Sequence, residues 1–593
     1  MNPLRTDAPR VRVQFQWPGA DATDGTDNFF FGAWHPSRSL RVTMSGVPPS
    51  AYTERRGFNW LLVSAASALH ATGTGLVHGT RDRSEGVAFR GYVFPRLHSY
   101  SPDAEILTYW GTRSLEEHNG VFSTAHIGRQ GETLTLVTDV LGMGPLYYRV
   151  FEDLVLFATN PRFLALDAER PDLVAWRSFT QTSWIIGDRS LSAGVSRVPA
   201  GQALRWTKDG SRSVVNLGRL PFGTRAVDHR SVGEVEEAFQ QTIDRCLELS
   251  GGRFVLPLSS GFDSRRILAA LIHRKVDFQA LTYRSAQKGF RDLDGRFASE
   301  MARDFGFPHV VLEPALGKQY AADDRSRRVL VDTETREHAW AIRLMQTLPA
   351  RPSFLFDGIA GDILGDPVGW RVHTGLSVEA RSSEGELDAI ATHGITNDFD
   401  LVLRSDEWPS ASDLREDVKA YLRKFLPRSN IAEIAFLLLR QRRVIAPWSQ
   451  QLAPPGHVPL CPYLDLEYLR LLLDFRSVDK HATKFQRACL REFWPEFHRY
   501  PGNRDVPADM APGSSAPRNK QTLACRAALM DEISSHGELT ALRKLLTVRG
   551  RVGLALSGRS AAVALREQWY LTPLMELVSR HARRVPCWRR LSS

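Results

Sequence analysis

Phe254-Val255-Leu256-Pro257-Leu258-Ser259-Ser260-Gly261-Phe262-Asp263-Ser264-Arg265-Arg266-Ile267-Leu268-Ala269-Ala270-Leu271 is the stretch whose reading decides the fold. A short apolar run ends in Ser-Ser-Gly-Phe-Asp-Ser, and a run of helical period follows, with Ile267, Leu268 and Leu271 on one face. The pattern is that of a buried strand, a tight loop and the start of a helix. Such a turn presents unpaired backbone N–H groups and the positive end of a helix dipole, which together attract an anion. Ser259, Ser264 and the permissive Gly261 suit a phosphate cradle. Asp263 does not suit one alone, because a carboxylate repels phosphate. It fits if Mg²⁺ lies between them, since Mg²⁺ takes carboxylate and phosphate oxygens together. The plain alternative is a strand–loop–helix junction capped by Ser and Asp. The loop lacks the Gly-Lys-Ser/Thr of a Walker loop.

Outward from this stretch, Phe278–Tyr283 reads as a second strand, Asp294–Phe305 as a helix and Pro308–Leu312 as a third strand. Upstream, Ser231–Leu249 carries a helix pattern. Strand and helix alternating at this spacing imply a doubly wound parallel sheet, whose ligand site lies at the carboxyl ends of the strands. Phe354-Leu355-Phe356-Asp357-Gly358-Ile359-Ala360-Gly361-Asp362 is a further apolar strand ending in a Gly-rich loop with carboxylates. Two such strand ends, each offering an Asp, are what a Mg²⁺-held pyrophosphate needs; a simple turn is the alternative.

The 593 residues exceed one core and predict roughly two to four domains. With 43% hydrophobic and 24% charged residues the composition is that of a soluble globular chain. The net charge of +10 suits an anionic ligand such as ATP or an acidic substrate. Lys and Arg are dispersed until Arg583-Arg584 and Arg589-Arg590, so nucleic acid is not the expected partner. Five scattered cysteines without a CxxC pair argue against a disulfide framework or structural zinc. The polar first thirty residues do not read as a signal peptide, and no run is long enough to span a membrane. A cytoplasmic enzyme without membrane partners is expected.

Residues 1–28 read as a loose leader, and from Phe29 to about Val150 short strands recur between Gly, Pro, Asp and Asn, as in a layered sheet domain. Residues 205–232 read as an interdomain connection, 503–518 as a flexible loop, and about 520–590 as helical.

Several of these motifs resemble known ones. Ser259–Ser264 resembles the PP-loop of the N-type ATP pyrophosphatases, Ser-Gly-Gly-x-Asp-Ser, with Ser260 in place of the first Gly. Asp357–Asp362 resembles the "SGEGSDE" loop of asparagine synthetase B, with Asp357 for Ser, Ile359 for Glu and Ala360 for Gly. Val458–Asp465 resembles that family's "RxPFLD" segment, and Lys484 with Leu490-Arg491 its "K…LR" helix, Lys480 being the reserve match. His118–Ser123, Thr138–Tyr148, Leu154–Asn160 and Gly194–Gln202 resemble, in order, the "LNGMFAF", "RDRxGxxPLYY", "LVFASE" and "GIxRLPPGH" elements of class II glutamine amidotransferase domains.

The resemblance implies the asparagine synthetase B superfamily over roughly residues 90–495 and an α/β architecture. An N-terminal layered α+β amidotransferase-like domain (1–215) precedes a PP-loop synthetase domain (230–500), and a loop and helical C-terminal extension (501–593) follows. It implies ATP bound by Ser259, Ser260, Gly261, Asp263, Ser264, Gly358 and the Leu281-Thr282-Tyr283 strand end. It implies Mg²⁺ held by Asp263 and Asp362, and Lys484 steadying the acyl-adenylate and departing pyrophosphate. The implied reaction is adenylation of a carboxylate and capture by an amine, releasing AMP and pyrophosphate. Glutamine-hydrolysing members expose an N-terminal Cys; here Asn2 follows Met1 and no Cys precedes Cys246, so the amidotransferase-like domain is expected to be degenerate. Ile359 cannot act as the family's Glu, which leaves Glu379, Glu384 and Glu386 as candidate bases.

A substrate carrying its own amine follows, as in β-lactam synthetase or the lasso-peptide macrolactam cyclases. The preferred reading is a lasso precursor peptide, with a leader peptidase or precursor-recognition protein as companion. The alternatives are amidation of a small metabolite or uronate by ammonia or an external amine, and a non-catalytic synthetase-derived binding protein.

Overall fold

The computed structural model describes residues 10–18, 29–46, 52–65, 76–78, 85–94, 119–167, 169–216, 220–228, 230–249, 253–284, 293–350, 353–365, 383–392, 395, 397–404, 406, 408–426, 428–483, 485–501, 516–547, 551, 554, 566–584 and 587–590.

Five short strands, Phe254–Pro257, Phe278–Tyr283, His309–Leu312, Ser353–Phe356 and His457–Leu460, pair in parallel throughout. In space they run His309–Leu312, Phe278–Tyr283, Phe254–Pro257, Ser353–Phe356, His457–Leu460. The chain moves from the central strand toward one edge, then returns to build the other half. The order therefore reverses between Phe254–Pro257 and Ser353–Phe356, and the carboxyl ends at such a reversal form the ligand crevice of doubly wound sheets. The doubly wound parallel sheet is thus present. His457–Leu460 is a fifth strand, and Pro459 is tolerated because that strand lies on the edge.

The helix after the first strand spans Phe262–His273 and is buried all round from Ser264 to Leu271. Its two arginines lie inside rather than on a solvated face. The neighbouring helices Ser231–Glu248 and Leu293–Phe305 begin and end close to their sequence-derived bounds.

The N-terminal part is two stacked antiparallel sheets. One contains, in order, Ser196–Arg197, Tyr147–Phe151, Leu154–Ala158, Phe30–Trp34, Trp60–Ala65 and Tyr52–Arg56; the other contains Arg212–Asn216, Gln202–Thr207, Thr133–Thr138, Gly120–Ile127, Gly86–Val93 and Leu76–His78. Trp34, Trp60 and Phe157 of the first meet Ala125, Leu134 and Trp206 of the second in the core between them. The hairpin Gln202–Thr207/Arg212–Asn216 completes this sheet, so the supposed connection begins only after Asn216.

Residues 10–16 are not a loose leader. Arg10–Gln16 alternates inward Val11, Val13 and Phe15, and pairs in parallel with Ser39–Ser45 and antiparallel with Trp588–Arg590. The C-terminal part therefore ends in a strand, after helices Ala516–Ser535, Leu539–Lys544 and Arg566–Arg583 that share a core with Leu173–Thr182. Residues 503–515 of the expected flexible loop lie outside the described residues, and Ala516 already begins a helix. Among the described residues no helix is long and apolar enough to cross a membrane.

The two main parts are joined by buried polar bonds. Asn119 accepts from Leu466 N–H at 2.7 Å and donates to Asp465 at 2.9 Å. Fully buried Arg442 binds Asp188 at 2.6 Å and the Val198 carbonyl at 2.8 Å, and Arg443 donates to the Arg189 carbonyl at 2.8 Å.

Candidate active site

The loop Leu258–Gly261 and the loop Asp357–Ala360 leave adjacent strands at the point where strand order reverses, and the first turn of the helix after the first loop meets the second. A Cβ placed on Gly361 would lie 2.7 Å from the Asp263 carboxylate, and one on Gly358 would lie 3.3 Å from Asp263 Cβ. Only glycine admits this approach, so Asp263, Gly358 and Gly361 are brought together. Asp362, one residue on, is exposed and its Oδ1 accepts from Ile363 N–H at 2.8 Å. Asp263 and Asp362 are the carboxylates here that could hold Mg²⁺ together with phosphate oxygens. Among the described residues no group of three or more His, Cys, Asp or Glu side chains is placed to hold a metal ion.

The polar groups of the Ser259–Ser264 loop are turned on one another. Ser259 N–H donates to Ser264 Oγ at 3.1 Å, the two hydroxyls lie 3.0 Å apart, and Gly261 N–H donates to Ser259 Oγ at 3.1 Å. An arriving phosphate would take over these donors by rotation of two hydroxyls. Ser260 differs. Its N–H and its hydroxyl both donate to Asp294 Oδ1, each at 2.7 Å. Asp294, on the first turn of the next crossover helix, is a site residue that local sequence reading misses, because it lies 34 residues away from Ser260.

Buried arginines hold the loop from behind. Arg265 donates to the carbonyls of Ser260 at 2.6 Å, Phe497 at 3.2 Å and Tyr500. Arg266 pairs with Glu236 at 3.0 Å and donates to Gln486 Oε1 at 2.8 Å; the Gln486 amide donates onward to the Gly361 carbonyl at 2.8 Å. Tyr463 donates to the Asp263 carbonyl at 2.9 Å.

On the neighbouring strand end, Leu281 is buried and its carbonyl accepts from Leu258 N–H at 2.8 Å. Thr282 donates to the Leu258 carbonyl at 2.7 Å and lies 2.8 Å from His309 Nε2. Burial lowers the His309 pKa, so the ring is neutral and donates from Nε2 to the Thr282 hydroxyl. Tyr283 is half-buried on the same rim, and its oxygen accepts from Ala315 N–H at 3.2 Å.

Asp357 is buried. Its Oδ1 accepts from Ile359 N–H at 3.0 Å and its Oδ2 from Ser449 at 2.6 Å, and desolvation raises its pKa to about 6. Ile359 points into the main core. Ala360 holds φ at +69°, a left-handed conformation that favours glycine.

Lys484 and Glu379 lie outside the described residues. Lys480 does not approach the loops. It is fully buried, pairs with buried Glu433 at 2.8 Å and donates to the Leu472 carbonyl at 2.6 Å, so its charge is spent inside the fold. Glu384 is exposed and pairs loosely with Arg423 at 3.7 Å, as on a solvated face, while Glu386 is buried on the same helix, Ser383–Thr392.

No curated protein sequence matches the chain. Among solved structures it aligns with glutamine phosphoribosylpyrophosphate amidotransferase from B. subtilis, at 10% identity over 58% of this chain and 72% of that one, with a TM-score of 0.21. It also aligns with the U34-tRNA thiolase NcsA from Methanococcus maripaludis, at 12% identity over 52% and 96%, with a TM-score of 0.19. Scores this low carry no argument about mechanism. Residues 99–215 match the model of a glutamine amidotransferase domain, which covers five strands of the stacked sheets from Gly120 to Arg197 and the hairpin that follows, up to residue 215.

Proposed function

We propose that the protein is an ATP-dependent ligase that adenylates a carboxylate and joins it to an amine, releasing AMP and pyrophosphate. The observation that carries this reading is the approach of Asp263 to Gly358 and Gly361 at the switch point of a parallel sheet, beside a serine-lined helix N-terminus. Asp263 and Asp362 would hold Mg²⁺, which when bound offsets phosphate charge. Ser259, Ser260, Gly261 and Ser264 cradle the phosphates, with Gly358 beside them, and the Leu281–Tyr283 strand end borders the nucleotide base. The substrate carboxylate attacks the α-phosphorus and pyrophosphate leaves. Lys484 stabilises the charge that grows on the leaving group. The amine then attacks the mixed anhydride, AMP departs, and the amide remains. The chain's contribution is positioning and charge stabilisation.

The finer reading is a peptide substrate that supplies both groups, so that the product is a macrolactam of the lasso-precursor kind. Cysteines from the later parts of the chain reach the amidotransferase-like part, among them Cys587 at the Arg162 carbonyl and Cys461 at Tyr92. Cys587 and Cys461 are buried, and desolvation pushes the Cys587 thiol up to about 12 and the Cys461 thiol far above its ordinary range. Neither is a nucleophile for glutamine. A second reading, a nucleotide-binding protein without turnover, is favoured by one observation: Asp294 takes the Ser260 N–H that a phosphate would use.

The test is release of AMP and pyrophosphate from ATP·Mg²⁺ with candidate peptides, compared with small carboxylates plus ammonia. AMP with a peptide that loses one water establishes the intramolecular ligase, and AMP only with a small acid and ammonia overturns the peptide reading. Nucleotide binding without AMP from any of them favours the second reading. Asp263→Asn is expected to abolish AMP release; unchanged release would sink the metal assignment.

A further inference from the structure

The two loops of the site belong to different strands, and a single buried side chain bridges them. Gln486 lies on the helix Phe485–Phe493 and is 3% exposed. Its carbonyl oxygen accepts from Arg266 Nη1 at 2.8 Å, on the PP-loop helix, and its amide donates to the Gly361 carbonyl at 2.8 Å, on the second loop. Arg266 is in turn fixed by Glu236 at 3.0 Å and Tyr468 at 3.1 Å, and its guanidinium lies 3.9 Å from the centre of the Phe239 ring. Glu236 also accepts from Trp494 Nε1 at 3.0 Å, at the far end of the Gln486 helix. The chain Trp494–Glu236–Arg266–Gln486–Gly361 is thus a closed polar circuit in an apolar surround. Its last link meets the peptide just before Asp362. A Cβ on Gly361 would come within 3.0 Å of the Gln486 amide and 2.7 Å of Asp263, so the gap between the loops is set where Gln486 grips.

We propose that Gln486 is a positioning residue that sets the separation of Asp263 and Asp362 and thereby the affinity for the divalent cation they share. The proposal rests on the ATP·Mg²⁺ reading of the site. Gln486 touches neither carboxylate. It acts through the Gly361 carbonyl on one side and through Arg266, three residues beyond Asp263, on the other. Side chains in this outer position orient the ligands they support.

The experiment is Mn²⁺ titration of the full chain by electron paramagnetic resonance in the presence of α,β-methylene-ATP, with nucleotide affinity measured separately in EDTA. Gln486→Leu is expected to raise the Mn²⁺ dissociation constant by at least about 10-fold while metal-free nucleotide affinity stays unchanged. Gln486→Glu keeps the size and the attraction to Arg266 but loses the donor to Gly361, and is expected to show the same loss. That outcome separates the bridge from packing. Should Gln486→Leu fail to fold, Gly365→Ala carries the test, since its Cβ would press to 2.9 Å on Gln486 Cγ and displace it. Wild-type Mn²⁺ affinity in the variants, alongside its loss in Asp263→Asn, overturns the positioning role and leaves the functional reading standing. A wild-type chain with no nucleotide-dependent Mn²⁺ site overturns both.

Discussion

Asp357 shows what burial costs a single residue. Its pKa rises from the usual 3.8 to about 6 because desolvation outweighs hydrogen bonds from Ser449, Ile359 N–H and Trp448. The folded state therefore holds the proton more tightly than the unfolded chain. Stability from this group is fully present below about pH 4 and is lost as pH rises through about 6, a change of about 3 kcal/mol. Asp357→Asn is expected to flatten that slope, read as denaturant midpoints at pH 4.5 and 7.5. Ala360 carries a different cost, since its φ of +69° strains any residue with a Cβ. Ala360→Gly relieves roughly 1–2 kcal/mol and returns roughly 0.4–1 kcal/mol as unfolded-chain entropy. The expected result is a gain of up to about 1.6 kcal/mol in chemical denaturation. The sequence made the departures at both positions visible as Asp for Ser and Ala for Gly, but not their physical consequence. Those depend on Ser449 and on backbone angles, neither of which is local information. The same holds for Ser260, whose partner Asp294 belongs to another element.

Elements with a strong period were legible: the strands at 254, 278, 309 and 353, and the helices after the first two, because burial imposes runs that short-range pattern reveals; the helices Gly317–Leu330 and Ala339–Thr347 were not. His457–Leu460 was hidden by Pro459, which marks loops as readily as edges. The ten-residue π-helix Phe436–Ile445 has no sequence signature of its own; along it Arg442 reaches Asp188 and Arg443 the Arg189 carbonyl, both in the N-terminal part. Helix Ser477–Thr483 is tied to Ile431–Ala435 by the buried Lys480–Glu433 pair, with Ser477 donating to Glu433 at 2.6 Å. Removing one partner leaves the other charged and dry. Lys480→Met is expected to lower stability by about 3–5 kcal/mol, measured by denaturant unfolding. Lys484→Met is expected to leave the midpoint unchanged and to lose AMP release. The reverse pattern would exchange the roles given to the two lysines.

Across the whole molecule the parallel sheet and the stacked sheets were both legible, because each rests on patterns within one segment. The closure between chain ends was not, since pairing of Arg10–Gln16 with Trp588–Arg590 depends on residues that sequence order sets as far apart as the chain allows. Trp588 is 1% exposed, donates to the Phe163 carbonyl at 2.7 Å and packs on Phe15. Trp588→Ala is expected to cost about 3–5 kcal/mol, and limited proteolysis should then cut first near residues 10–16. That closure also sets a timetable. At ribosomal speed the segment carrying Phe15 emerges on the order of a minute before its partner strand exists. For that interval the nascent chain carries an apolar strand with one open edge, the kind of surface that pairs with strangers. Arrival of Trp588–Arg590 then acts as a latch that closes this edge.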